Sequence, residues 1–457
     1  MIAAREVSVV EAVTAFLDRI QQANGAVGAF VSLRERGDIL AEAATLDGRL
    51  ADGETPGPLF GLPIAVKDLA LTKGVRTTFG SRIFADFVPD RDELFVERMR
   101  KAGAIIIGKT NVPEFGFGSQ SYNAVFGTTR NAHDPRLTAG GSSGGAASAL
   151  ALHMLPIADG SDFCGSLRNP AGWHHIFSLR PSPGRVAAGP APELFLSQMG
   201  VVGPMGRSVS DVALLMSAMA GYDPRSPLSL AGDFAWSPEG RPRGRVWRIA
   251  WLGDLGGHLP TEQGVLDICE KALARAGQGP FRVESFALDF DYEALWRGFV
   301  TLRHATGGAA LKVLYDDPAK RALMKPETCW EIEGSLGLTI DRIHAASMMR
   351  TSWYNAVIAL FDRYDLLVLP TAQVFAFDAE TYWPGEIAGR RMDSYHRWME
   401  VASYATLAGC PTATVPAGFD ESGRAMGLQL IGRPRADAEV LSAAADYEEV
   451  CEVTGGR

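Results

Sequence analysis

From Gly61 onward the chain alternates short apolar runs with helix-length segments of mixed polarity, and that rhythm narrows the folds open to it. Leu62-Pro63-Ile64-Ala65-Val66 reads as a strand ending at Lys67-Asp68. Residues 92–101 read as a helix, 104–107 as a buried strand, 145–152 as a helix and 154–158 as a further apolar run. Strands are expected again at 246–252, 366–369, 413–415 and 426–431, and helices at 209–220, 263–276, 292–305 and 436–450. Apolar strands separated by helices predict an α/β fold: a mixed, mainly parallel central sheet covered by helices on both faces. Ahead of it, Ser8 and Glu11 form a capping box for a helix with Val10, Val13, Phe16, Leu17 and Ile20 at helical spacing, and a second helix is expected over 38–50. Residues 200–245, rich in Pro, Gly and Ser, read as a long surface connection with one helix. Residues 1–457 are expected to form a single domain, with 254–363 as an inserted subdomain.

Charge and cysteine usage exclude several classes. A net charge of −9 with no basic block argues against nucleic acid as a partner. The five cysteines are widely spaced with no C-x-x-C, which fits reduced thiols and a cytoplasmic location. No H-E-x-x-H or Cys/His cluster occurs, so no metal is expected, and no organic cofactor is called for. The first nine residues carry Arg5 and Glu6 without an apolar core, which reads as the absence of a signal peptide. The longest nearly apolar stretch, 146–158, is interrupted by Ser148 and His153 and is too short for a membrane span.

The densest chemical signal is Thr138-Ala139-Gly140-Gly141-Ser142-Ser143-Gly144-Gly145, followed by Asp159-Gly160-Ser161-Asp162-Phe163-Cys164-Gly165-Ser166-Leu167-Arg168-Asn169-Pro170. Glycines beside serines let backbone N–H groups approach a ligand, and a loop opening a helix points such groups at developing negative charge. An oxyanion needs that environment.

These blocks, together with Gly61 to Asp68, Gly108 to Phe115 and Gly427 to Gly432, resemble the amidase signature family in order and spacing over nearly the whole chain. The resemblance implies a Ser–Ser–Lys triad: Ser166 as nucleophile, Ser142 on a cis peptide after Gly141 as bridge, and Lys67 as base. It also implies an oxyanion hole from the N–H groups of Phe163, Cys164, Gly165 and Ser166. Asp162 and Arg168 are expected to pair and hold the loop, with Ser143 in support. Such a lysine acts as a base only when neutral, which burial at the end of an apolar strand would favour. The chain departs from the family pattern at Cys164 (usually glycine), Asn169 (commonly apolar) and Arg180 (usually lysine).

The implied activity is cleavage of an amide-type bond (acyl amide, aryl anilide or carbamate) through an acyl-enzyme on Ser166. The partner is a small substrate, apolar or aromatic, met by Phe115, Phe117, Gln120, Tyr122 and Trp383, with Phe375, Phe377 and Tyr382 helping to cover it. The chain is expected to act as a monomer or homo-oligomer. An amidase subunit of a multi-chain amidotransferase is the alternative. Gly141-Ser142-Ser143-Gly144-Gly145 also fits the G-x-S-x-G turn of α/β-hydrolases, with Ser143 as nucleophile. Gly103 to Thr110 matches a phosphate loop by letter, but its middle residues read as a buried strand. His174 and His175 lie near Ser166 in sequence and are expected to pack beside the site.

Overall fold

The computed structural model describes residues 1–232 and 234–453. Its centre is an eight-stranded sheet in the spatial order Phe281–Ser285, Trp247–Trp251, Leu366–Pro370, Ala425–Ile431, Thr412–Phe419, Phe177–Arg180, Val201–Gly206, Ile157–Asp162. A mixed sheet covered by helices on both faces is what the apolar rhythm predicted. The parallel bias is not. Only Trp247–Trp251 with its two neighbours pairs in parallel; the five remaining pairings are antiparallel. An apolar run reports that a strand is buried on both faces and carries no information about its direction. Thr412–Phe419 and Ala425–Ile431 run antiparallel because a tight turn joins them, with Asp420 accepting the N–H groups of Ser422 and Arg424 at 2.9 and 2.7 Å.

The surface connection expected from residue 200 begins instead with a strand inside the sheet. Val201–Gly206 pairs with both Ile157–Asp162 and Phe177–Arg180. Its Gly-Pro content hid it from a propensity reading. Glycine is needed there because a Cβ on Gly203 would stand 2.2 Å from the Leu179 carbonyl oxygen.

A second, three-stranded sheet carries Pro63–Lys67 parallel to Ile105–Thr110, with Phe30–Val31 antiparallel on the far side. Pleating sends alternate residues to two cores. Ile64, Val66, Ile106 and Ile157 join the core under the helices Val209–Met219 and Asp437–Val450. Ala65, Ile105, Ile107 and Ala158 join the core under Gly144–Ala151 and the two N-terminal helices. The first of these, Val9–Val27, opens with the Ser8–Glu11 capping box. The phosphate-loop pattern falls on the strand Ile105–Thr110, where Lys109 is buried and donates to Ala70 O at 2.6 Å and Thr72 Oγ1 at 2.8 Å.

Within 254–363, Phe281–Ser285 edges the large sheet, while Tyr292–Arg303, Pro326–Leu336 and Ile340–Leu360 form a helical layer. Tyr292–Arg303 ends in one wider helical turn, His304–Gly308. Among the described residues no helix is long and apolar enough to cross a membrane.

Candidate active site

Every residue of Pro63–Lys67 is buried, so the strand drives the Lys67 side chain into the interior. Its Nζ donates to Ser142 Oγ at 2.8 Å, Ser143 Oγ at 2.7 Å, Ser161 Oγ at 3.0 Å and Ser161 O at 3.2 Å. Burial pulls the amine down to about 7, overcoming Asp159 and Asp162, whose charges favour the ammonium form. Asp159 also receives the Lys67 backbone N–H at 3.2 Å on both carboxylate oxygens, a side-chain link between the small sheet and the large one.

Ser142 and Ser143 sit on the turn that opens the helix Gly144–Ala151, and the Gly141–Ser142 peptide is cis. Asn169 clasps Gly141 from both sides: its Oδ1 accepts the Gly141 N–H at 3.1 Å and its Nδ2 donates to the Gly141 carbonyl at 2.9 Å. Ser121 Oγ receives the Gly144 N–H at 3.0 Å, an approach that leaves a Cβ on Gly144 only 2.5 Å from that oxygen. The Ser143 N–H donates to the Ser166 carbonyl at 3.2 Å, tying this turn to the loop that carries Ser166.

That loop is organised by Asp162. Its carboxylate accepts the N–H groups of Gly165 at 2.9 Å and Leu167 at 3.0 Å and pairs with Arg168 through Nε at 2.9 Å and Nη2 at 2.8 Å. Burial alone would raise this carboxyl, but the charge and hydrogen bonds of Arg168, with Arg180 behind it, hold it below the usual carboxylate range. Arg168 spends its other donors on Ala402 O, Gln429 Oε1 and Thr406 Oγ1, so a fully buried ion pair is also fully hydrogen-bonded. One expected oxyanion donor is corrected here. The Gly165 N–H is committed to Asp162, while those of Phe163, Cys164 and Ser166 donate to no other group among the described residues. Gly165 is glycine because its φ is +89° and a Cβ would stand 2.7 Å from Ala402 Cβ.

Ser142 and Ser166 line one cavity of about 360 Å³ with Ser161, Phe163 and Cys164. Phe115 and Phe117 line it, as does a set that sequence proximity could not supply: Leu69, Phe79, Arg303, Leu311 and Met399. Gln120, Tyr122 and Trp383 do not line it. Gln120 lies behind the loop, accepting from Thr138 Oγ1 and packing its backbone where a Cβ on Gly141 would be. Tyr122 donates to Glu327 and stacks on Tyr382 with ring centroids 4.8 Å apart, beside Trp383. Phe377 packs on Trp173 and Trp398, and Phe375 under Arg424, so neither covers the cavity. Ser143 is fully buried and does not reach the cavity, which removes it as a nucleophile. His174 is locked between Ser148 Oγ at 2.9 Å and Pro170 O at 2.8 Å, with burial lowering it to about 3, and His175 stacks on Phe419.

Among the described residues, Arg303 is the one cation on the cavity wall. Its guanidinium lies between the Phe117 and Phe163 rings, 5.1 and 5.0 Å from their centroids, and pairs with Glu331 at 2.5 Å and Tyr395 Oη at 2.9 Å. Its distance from the serines in sequence left no local signal. Ser161 and Asp159 did have one, since both lie within the Asp159-Gly160-Ser161-Asp162 block.

A buried amine, two loop serines and unspent backbone donors thus lie close around one cavity. The chain belongs to the amidase signature family: the Amidase family model matches residues 11–441, and the class is amide-cleaving. It is 35% identical to a glutamyl-tRNA(Gln) amidotransferase subunit of Thermus thermophilus over 98% of this chain and 95% of the relative. It is 32% identical to an acylamidase of Rhodococcus erythropolis over 98% of this chain and 93% of that one. Among solved structures, a bacterial aryl acylamidase of the amidase signature family superposes with a TM-score of 0.92 at 28% identity, covering 100% of this chain and 97% of the other.

Proposed function

We propose that the chain is a self-sufficient amidase in which Ser166 is the nucleophile, Ser142 the proton bridge and Lys67 the base. The carrying observation is the buried Lys67 amine, lowered to about 7 and held 2.8 Å from the Oγ of Ser142, a serine that lines the same cavity as Ser166. A serine hydroxyl needs a base to become nucleophilic, and a neutral lysine meets that need near neutral pH. Ser166 Oγ adds to the substrate carbonyl while its proton passes to Ser142 Oγ and the Ser142 proton to Lys67. The oxyanion is received by the N–H groups of Phe163, Cys164 and Ser166. Return of a proton from Lys67 through Ser142 to the leaving nitrogen expels the amine and leaves an acyl ester on Ser166. Water, deprotonated along the same path, releases the acid. Acyl amides, aryl anilides and carbamates all present a carbonyl to this chemistry, and the aromatic wall of Phe115, Phe117 and Phe163 favours an apolar or aromatic group beside it.

The amidotransferase reading draws on the Thermus thermophilus relative and uses the same three residues. Activity of the isolated chain separates the two. Purified alone, it should hydrolyse an anilide and elute as a monomer or homo-oligomer. Ser166→Ala and Lys67→Ala should each abolish turnover with the thermal melt retained, and a fluorophosphonate probe should label Ser166. Turnover only after addition of another chain would overturn the stand-alone reading; labelling of a different serine would overturn the triad.

A further inference from the structure

The catalytic cavity shares three wall residues, Ser161, Ser197 and Gly200, with a second cavity of about 630 Å³. We propose that this second cavity is a subsite for the far arm of the substrate, so that the enzyme acts on elongated amides whose distal end is neutral or acidic. The inference rests on the amidase reading and deepens it by naming the substrate class.

Three observations carry it. The first is adjacency: Ser161, Ser197 and Gly200 stand in the walls of both cavities, so a chain leaving the carbonyl held at Ser166 need pass only these residues to enter the second. The second is lining. Val186, Leu194, Leu230 and Leu407 give apolar walls, and among the described residues that line it Arg350 and Arg435 are the charged ones. Arg350 is fixed in place by donating its Nε to Leu407 O at 2.9 Å. Apolar walls with a few placed donors are the usual make-up of a small-molecule site. A carboxylate, ester or amide oxygen is welcome at two guanidinium groups, whereas an ammonium end would meet like charge.

The third is the doorway. Gly200 needs no glycine on backbone grounds: no left-handed φ is present, and a Cβ would meet only Phe163 Cδ2, at an ordinary contact distance of 3.6 Å. The missing side chain instead leaves the passage open. Each methylene buried along the route is worth up to about fourfold in affinity, so a long arm should be favoured cumulatively.

The test compares acetanilide with two long amides, the monoanilide of dodecanedioic acid (long acyl arm) and N-acetyl-12-aminododecanoic acid (long amine arm), and with an ammonium-ended acyl analogue. The wild-type chain should cleave one of the carboxylate-ended amides with kcat/KM about tenfold or more above acetanilide, and above the ammonium analogue. Ser347→Trp and Thr351→Trp, which fill the second cavity from exposed positions of the helix Ile340–Leu360 and lie outside the catalytic cavity, should each remove that advantage, mainly through KM, while acetanilide changes less than about twofold. Equal use of long and short amides by the wild type, or equal loss of both in the variants, would overturn the subsite. Failure to cleave any of the four, acetanilide included, would instead overturn the amidase reading and this inference with it.

Discussion

Asp159 offers a way to move the pH profile without touching the reacting groups. A Lys67 base is active only when neutral, so kcat/KM should fall as pH drops through about 7, by about tenfold per unit below that point. Asp159 favours the ammonium form and receives the Lys67 N–H, and burial raises its own carboxyl to about 6. Asp159→Asn keeps an acceptor for that N–H and removes the charge. A unit carboxylate charge at roughly 6 to 9 Å in an effective dielectric near 20 contributes about 2 to 3 kcal/mol, or about one and a half to two pKa units. Because Asp159 is about half protonated at pH 6, about one unit is the realistic displacement. The neutral fraction of Lys67 at pH 6 would then rise from about one-tenth to about one-half, so activity at pH 6 relative to the alkaline plateau should increase about fivefold. Rates measured from pH 5 to 9 on a variant whose melt matches the wild type decide it. An acid limb that stays in place or moves to higher pH would refute the assignment of that limb to Lys67.

Asn169→Val should leave the N–H and carbonyl of Gly141 buried without partners, at about 1 to 3 kcal/mol each, and lower kcat and the melting temperature together. Cys164 is buried and its thiol is pushed up to about 12, so maleimide at neutral pH should leave it unmodified in the folded chain, and Cys164→Gly should retain turnover. Arg303→Met strands the buried Glu331 carboxylate and should cost about 3 to 5 kcal/mol in denaturant unfolding, which Arg303→Lys should only partly recover. His175→Ala should remain active, since its ring stacks on Phe419 away from the cavity; an inactive, folded variant would contradict the lysine mechanism.

The residues brought together around Lys67 were legible because their glycine and serine blocks carry the resemblance to the amidase signature family, which implied their roles. The cavity wall was only half legible. Phe115 and Phe117 adjoin such a block, but Arg303, Leu311 and Met399 reach the site through the helical layer, and nothing in their own neighbourhoods marks them. Tyr122 and Trp383 show the converse error: nearness in sequence to a chemical block put them at the site, yet Tyr122 is drawn off by Glu327 and Tyr382. Strand direction was hidden for a different reason, since burial fixes polarity on both faces whatever way the chain runs. Val201–Gly206 was missed because its glycines and proline, which serve close packing against Leu179, look like loop composition. Asn169 stood out as unusual, but only its two contacts with Gly141 give that oddity a purpose.

In the proposed relay the amine and the nucleophilic serine belong to different sheets. Lys67 ends a strand of the three-stranded sheet, Ser166 follows a strand of the eight-stranded one, and what fastens the edges beside the lysine is a carboxylate rather than a ladder of main-chain bonds. A slip of a fraction of an ångström along that seam would break proton relay while leaving both cores packed. Turnover should therefore fail in mild denaturant before tryptophan fluorescence reports any loss of the fold, making catalysis the more sensitive gauge of how the two sheets are registered.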